Sequence, residues 1–86
     1  MKTKKIKLYS TMSCPYCRME KSWLEENSID HEVVYVDQNQ EEAINMVRKT
    51  GQMGVPVTEI ETENGESEYI VGFDVQKLSE VLDIKN

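Results

Sequence analysis

Lys5-Ile6-Lys7-Leu8-Tyr9, Ser10-Thr11-Met12-Ser13, then Cys14-Pro15-Tyr16-Cys17 and the run on to Asn27 form the stretch whose reading decides the fold. Charge alternates with apolar bulk from Lys5 to Tyr9, the two-residue period of a strand. Ser10 to Ser13 break that period. From Pro15 onward the spacing becomes helical, with Met19 and Trp23 four apart. Proline suits the first helical turn, where its missing N–H costs nothing. Cys14 therefore stands at or beside the N-cap and Cys17 falls inside the first turn. The stretch reads as strand, loop, helix, with a thiol at the junction.

Working outward, Glu32 to Val36 is rich in valine and reads as a buried strand. A helix separates it from the first strand, so the two run parallel through a right-handed crossover. A second helix follows, with Asn39 as N-cap, Glu42 three residues on, apolar Ala43, Ile44 and Val47, and Gly51 in the left-handed C-terminal position. Val57 to Ile60 and Glu68 to Val71 are two short strands around Asn64-Gly65, a hairpin signal. A last helix spans Val75 to Leu82. The order is β-α-β-α-β-β-α, an α/β chain read as a single domain over 1–86, without repeat or linker.

Eighty-six residues leave room for one small domain. Ten Lys and Arg against sixteen Asp and Glu give a net charge of −6, a field that repels phosphate backbones and anionic headgroups and argues against nucleic acid as partner. The apolar run Val33–Val36 is far too short to cross a bilayer, and Met1-Lys2-Thr3-Lys4-Lys5 leads into no signal-like apolar stretch. The expected setting is the cytoplasm, and the expected state a monomer.

The cysteines are Cys14 and Cys17 alone. A bridge between them closes a tiny loop, which removes little entropy from the unfolded chain, so it is no structural staple. A reversible dithiol and half of a metal site are the readings that remain. Zinc takes four ligands, and the sequence offers one more imidazole, His31, which reads as a solvated residue between two elements. No metal site is expected.

Cys14-Pro15-Tyr16-Cys17 after a first strand, Gly54-Val55-Pro56 before the third and Gly72-Phe73-Asp74 before the last helix together resemble the glutaredoxin family, over nearly the whole chain. The resemblance implies a thioredoxin-like fold, a four-stranded mixed sheet of order 2-1-3-4 with three helices. It also implies thiol–disulfide exchange with Cys14 as nucleophile and Cys17 as resolving thiol. Glutathione would be a co-substrate, with no tightly bound cofactor, and the substrates would be disulfide-containing or glutathionylated proteins. Thr11, Pro15, Tyr16, Met53, Gly54, Val55, Pro56, Gly72, Phe73 and Asp74 would form the binding surface. X–Pro bonds in folded proteins are cis in only ~5–6% of cases, yet the resemblance implies a cis Val55–Pro56 bond that offers the Val55 backbone to an extended ligand. Asp74 would cap the last helix or receive the ammonium of glutathione.

This chain departs from the family pattern at several of those positions. Thr11 stands where many relatives have a Lys, Met53 where a basic residue is frequent, Gly54 in place of a Thr, and Phe73 in place of a smaller residue. Gln52 and Lys49 are candidates to supply the missing contact to a carboxylate. The alternative reading is a glutaredoxin-like electron donor reduced by a thioredoxin-reductase-type flavoenzyme, of the kind that serves ribonucleotide reductase. An iron–sulfur or metal-binding module is less favoured, since Pro15 stiffens the loop.

The attacking species must be thiolate. A helix N-terminus contributes about 0.3–1 kcal/mol toward an anion, ~2 at most. Direct hydrogen bonds from the amide of Tyr16 or Cys17 are therefore expected as well, with Arg18 and Lys21 as further positive charge. Glu20, three residues after Cys17, reads by default as a solvated helical Glu and alternatively as a proton acceptor for the resolving thiol. Glu59, Glu61, Glu63, Glu66 and Glu68 crowd the hairpin and read as protection of an edge strand. Tyr16 is expected in the substrate groove, and Trp23 and Leu24 in the core.

Overall fold

A four-stranded mixed sheet carries the chain, its strands in the order 2-1-3-4 that the resemblance implies. The computed structural model describes residues 5–62 and 65–82. Its elements are β1 (Lys5–Ser10), α1 (Pro15–Glu26), β2 (Glu32–Tyr35), α2 (Gln40–Thr50), β3 (Val57–Glu61), β4 (Ser67–Val71) and α3 (Val75–Leu82). β2 pairs parallel to β1, whereas β3 pairs antiparallel to both β1 and β4. No described helix is long and apolar enough to cross a membrane.

The caps explain the helix boundaries. Asn39 opens α2 by accepting from the Glu42 amide at 3.2 Å. Gly51 closes it at φ 72°, the left-handed conformation that a Cβ disfavours. Gly65 also has positive φ, and its N–H donates to the Thr62 carbonyl at 3.1 Å. Glu63 and Asn64, the first residue of the expected Asn64-Gly65 turn, lie outside the described residues.

Two apolar clusters sandwich the sheet. Ile6, Ile60, Ile70 and Leu78 lie on the face covered by α1 and α3, with Trp23, Phe73, Val81 and Leu82 against them. Tyr9, Val34, Met46 and Val57 lie on the face covered by α2. Burial departs from the apolar spacing of the sequence at three places. Residues Cys17, Glu20 and Leu24 form the inward stripe of α1, while Met19 is exposed. Met46 is the residue α2 buries, and Ile44 faces solvent. β2 ends at Tyr35 and buries Val34 alone, because it is an edge strand with one covered face.

The register decides which chain ends meet. Tyr9 opposes Val57, and Val57 opposes Val71. The exit of β1, the entry of β3 and the exit of β4 therefore share one end of the sheet.

Candidate active site

At that end of the sheet β1 runs into the loop 11–13 and α1. Cys14 is the N-cap residue, with extended backbone (φ −89°, ψ 111°) and Pro15 directly after it. Its Sγ accepts from the Cys17 amide at 3.2 Å, so sulfur does here what a Ser or Asp oxygen does at an ordinary N-cap. The Cys14 carbonyl accepts from Arg18 N–H at 3.2 Å, the first bond of the helix. Cys14 and Cys17 are joined as a disulfide, with Cα atoms 5.2 Å apart. Cys14 is 9% exposed and Cys17 2%, so an incoming group reaches Cys14 first. A hydrogen bond to an ionised acceptor contributes about 1.5–3 kcal/mol. The Cys17 amide therefore holds Cys14 sulfur more strongly as thiolate than as thiol.

The loop before α1 is pinned at Met12, through both its N–H and its carbonyl. Met12 N–H donates to Asp37 Oδ2 at 3.1 Å, and the Arg18 guanidinium donates to the Met12 carbonyl at 3.3 Å. Asp37 joins this region without having been a candidate in the sequence; its place two residues past β2, which runs parallel to β1, is the signal that points to it.

Val55–Pro56 is a cis peptide and Pro56 is buried. Gly72, with φ 87°, donates its N–H to the Pro56 carbonyl at 2.8 Å, which ties the exit of β4 to the segment before β3. Asp74 caps α3, accepting from Lys77 N–H through Oδ1 at 3.1 Å. Phe73 packs edge-on against Trp23, with ring centroids 6.4 Å apart at 67°. Its ring thus joins the core side of this region, where Trp23 is half-buried and Leu24 fully buried.

The remaining candidates form an exposed rim. Tyr16 is 62% exposed and Met53 82%; Met12 and Met19 are exposed as well, Gly54 lies open, and Thr11 and Val55 are half-buried. Lys49, a candidate contact for a carboxylate ligand, has its ammonium 3.3 Å from Glu59. Glu59 in turn is no free surface acid, since it also accepts from Tyr9, Ser67 and Tyr69.

Glu20 contradicts its default reading as a solvated residue. It is fully buried, and its Oε2 accepts from the Thr58 hydroxyl. Burial pushes its carboxyl up to about 7, with the Thr58 hydrogen bond acting in the opposite direction. Thr58 went unnoticed in the sequence; the signal was available, because a threonine between Val57 and Ile60 on a central strand must satisfy a buried hydroxyl.

Sheet order, N-cap cysteine and close partner cysteine define a thioredoxin-fold dithiol oxidoreductase. The glutaredoxin family model matches residues 6–64. A glutaredoxin-like 8.6 kDa protein from the rubredoxin operon of Clostridium pasteurianum is 33% identical over 78 residues, 91% of this chain and 97% of that protein. The solved glutaredoxin of Methanosarcina mazei Go1 is 32% identical, covers 91% of this chain and 77% of its own, and superposes with a TM-score of 0.75. Methanosarcina acetivorans methanoredoxin is 30% identical, with coverage of 91% and 83% and a TM-score of 0.75. The chain belongs to the glutaredoxin family.

Proposed function

We propose that the chain reduces protein disulfides and glutathione mixed disulfides through its dithiol, in a reducing compartment such as the cytoplasm. The Cys14 thiolate attacks one sulfur of the substrate disulfide, forms a mixed disulfide and expels the other sulfur as thiolate. Cys17 then attacks Cys14 Sγ, closing the internal disulfide and releasing the second substrate thiolate. Two electrons pass from the dithiol to the substrate. Glutathione regenerates the dithiol by the reverse exchanges, and itself ends as glutathione disulfide.

The observation that carries this reading is the Cys14 sulfur at the N-cap, accepting from the Cys17 amide at 3.2 Å. An anion is favoured there by the helix end and by a pre-placed donor. The Val55 backbone beside Pro56 supports docking of an extended ligand as an added strand.

A second reading, reduction by a thioredoxin-reductase-type flavoenzyme, is supported by the rim. Thr11, Met53 and Gly54 bring no cation, and the Lys49 ammonium pairs with Glu59. The oxidised protein is to be offered glutathione with its reductase, and separately the flavoenzyme with NADPH. Turnover of a glutathionylated substrate is expected to vanish in Cys14→Ser and to persist in Cys17→Ser, which loses only dithiol reduction. Full activity of Cys14→Ser overturns the assignment. Reduction by the flavoenzyme alone replaces glutathione with the second reading.

A further inference from the structure

Cys17, Glu20 and Leu24 are the buried residues of α1 and share its inward face. Helical Cα–Cβ bonds tilt toward the N-terminus, and residues three apart have Cβ atoms about 5–6 Å from each other. The Glu20 carboxyl is thus carried back over the turn that holds Cys17. One of its oxygens is held by the Thr58 hydroxyl on β3; the other, Oε1, is buried with no hydrogen-bond partner among the described residues.

Among the described residues, the elements packed around Glu20 supply no counter-charge. Leu8 and Ile70 oppose Thr58 in the sheet and so share its face, and α3 turns Leu78 toward the same cluster. Strand alternation sends Lys7, Tyr9 and Glu59 to the other face, and Arg18 and Glu25 lie on the exposed side of α1. Of the groups facing Glu20 from α1, β1, β3, β4 and α3, the one that titrates is the thiol of Cys17, with Cys14 beyond it.

We propose that Glu20 is the proton acceptor for the Cys17 thiol in the resolving step. The proposal rests on the reading of Cys14 as nucleophile and Cys17 as resolver. Starting from the mixed disulfide, the proton of Cys17 passes to the Glu20 carboxylate as Cys17 Sγ bonds to Cys14 Sγ. The bond from Cys14 to the substrate sulfur breaks, and the electron pair leaves with the substrate thiolate. Glu20 then holds the proton until solvent or the departing thiolate takes it. In the reverse direction the Glu20 acid protonates the Cys17 thiolate released when a reductant opens the disulfide. A carboxyl that burial places near 7 suits both directions, because acceptor and donor forms coexist around neutral pH.

The test uses reduced protein and dithiobis(nitrobenzoate), whose coloured thiolate appears twice. The first release reports attack by Cys14, and the second reports displacement by Cys17. Glu20→Gln keeps an acceptor for Thr58 and cannot take a proton. It is expected to leave the first phase unchanged and to slow the second about 100-fold at pH 7, the lower end of what a positioned proton acceptor contributes. That gap closes once the pH is high enough for Cys17 to ionise unaided. An equal second phase in both proteins overturns the proposal, as does an equal loss in both phases. Absence of the first release in wild type overturns the Cys14 assignment, and this proposal with it. Carbon-13 NMR of the Glu20 carboxyl in wild type gives a reading that needs no variant. Two inflections are expected in the reduced protein and one in the oxidised protein, the extra one marking thiol ionisation. A single inflection in both states overturns the proposal.

Discussion

Thr58 and Glu59 are neighbours on the central strand β3, and they open onto two different treatments of a carboxylate. On the α2 face Glu59 is served at both oxygens. Oε1 accepts from the Tyr9 hydroxyl at 3.2 Å and from the Lys49 ammonium at 3.3 Å, and Oε2 from Ser67 and Tyr69 at 3.4 Å each. On the α1 face Glu20 has the Thr58 hydroxyl and nothing at its second oxygen among the described residues. The consequences for the neighbours differ too. Burial and the Glu59 charge push the Tyr9 phenol upward, so it stays a donor throughout the physiological range. A carboxylate with donors at each oxygen binds strands together. One left short of donors, a turn below a buried thiol, retains a reason to exchange its proton.

The largest expected difference is in the pH dependence of stability, measured on the oxidised protein because its cysteines then do not titrate. The folded-state value of Glu20 is about 7, against an ordinary 4.5. Between those values the folded protein holds a proton that the unfolded chain has released, so stability falls as pH rises. The contribution is fully present below 4.5 and is lost by the time pH passes 7. At ~1.36 kcal/mol per pH unit the loss is about 3 kcal/mol. Urea unfolding of Glu20→Gln across this window is expected to lack the decline, which makes the variant the more stable protein at pH 8. A parallel decline in the variant contradicts the account of Glu20 as a buried acid.

Glu59 is expected to behave in the opposite way. Glu59→Ala leaves the Tyr9 hydroxyl without its acceptor beneath α2, and an unsatisfied buried group costs about 1–3 kcal/mol. A loss of about 2 kcal/mol is expected at pH 5 and at pH 8 alike, read by urea unfolding. Neither release of the coloured thiolate should change, because Glu59 lies on the far face of the sheet from Cys17. A slowed second release in this variant removes the distinction between the two carboxylates.

The part of this contrast that was legible in the sequence was the frame. Strand and helix periods, a valine-rich run and an Asn-Gly hairpin signal locate the seven elements, and Asn39, Gly51 and Gly65 are readable because their conformational roles are local. The joining of Cys14, Pro56 and Gly72 at one end of the sheet followed from strand order, which came from the family resemblance. What could not be read was which stripe of α1 turns inward. Met19 and Trp23 look like the apolar pair, whereas the strand-to-helix turn at Cys14 points Cys17 at the sheet and takes Glu20 in with it. A charged residue at an inward position defeats any reading based on hydrophobic pattern, since its burial is decided by a threonine 38 residues away. Glu59 was misread for the same reason: four of its donors come from β1, α2 and β4.

The smallest effect isolates the single hydrogen bond that separates Glu20 from a carboxyl with no partner. Thr58→Val keeps the shape of the side chain and removes the hydroxyl. At pH 5, where folded Glu20 is protonated, the loss is that of one ordinary hydrogen bond, about 1 kcal/mol. The hydroxyl favours the charged form, opposing burial. Its removal therefore raises the folded-state value further, and the decline in stability should continue beyond pH 7 instead of levelling off there. The same shift leaves less Glu20 carboxylate to accept the Cys17 proton at neutral pH. The second release should slow in Thr58→Val, with its pH profile displaced upward and its plateau rate restored, which a variant that merely loosens the core would not achieve. If the unfolding curve of Thr58→Val levels off where wild type does, Thr58 is a packing residue, and the asymmetry between the two faces of the sheet rests on burial alone.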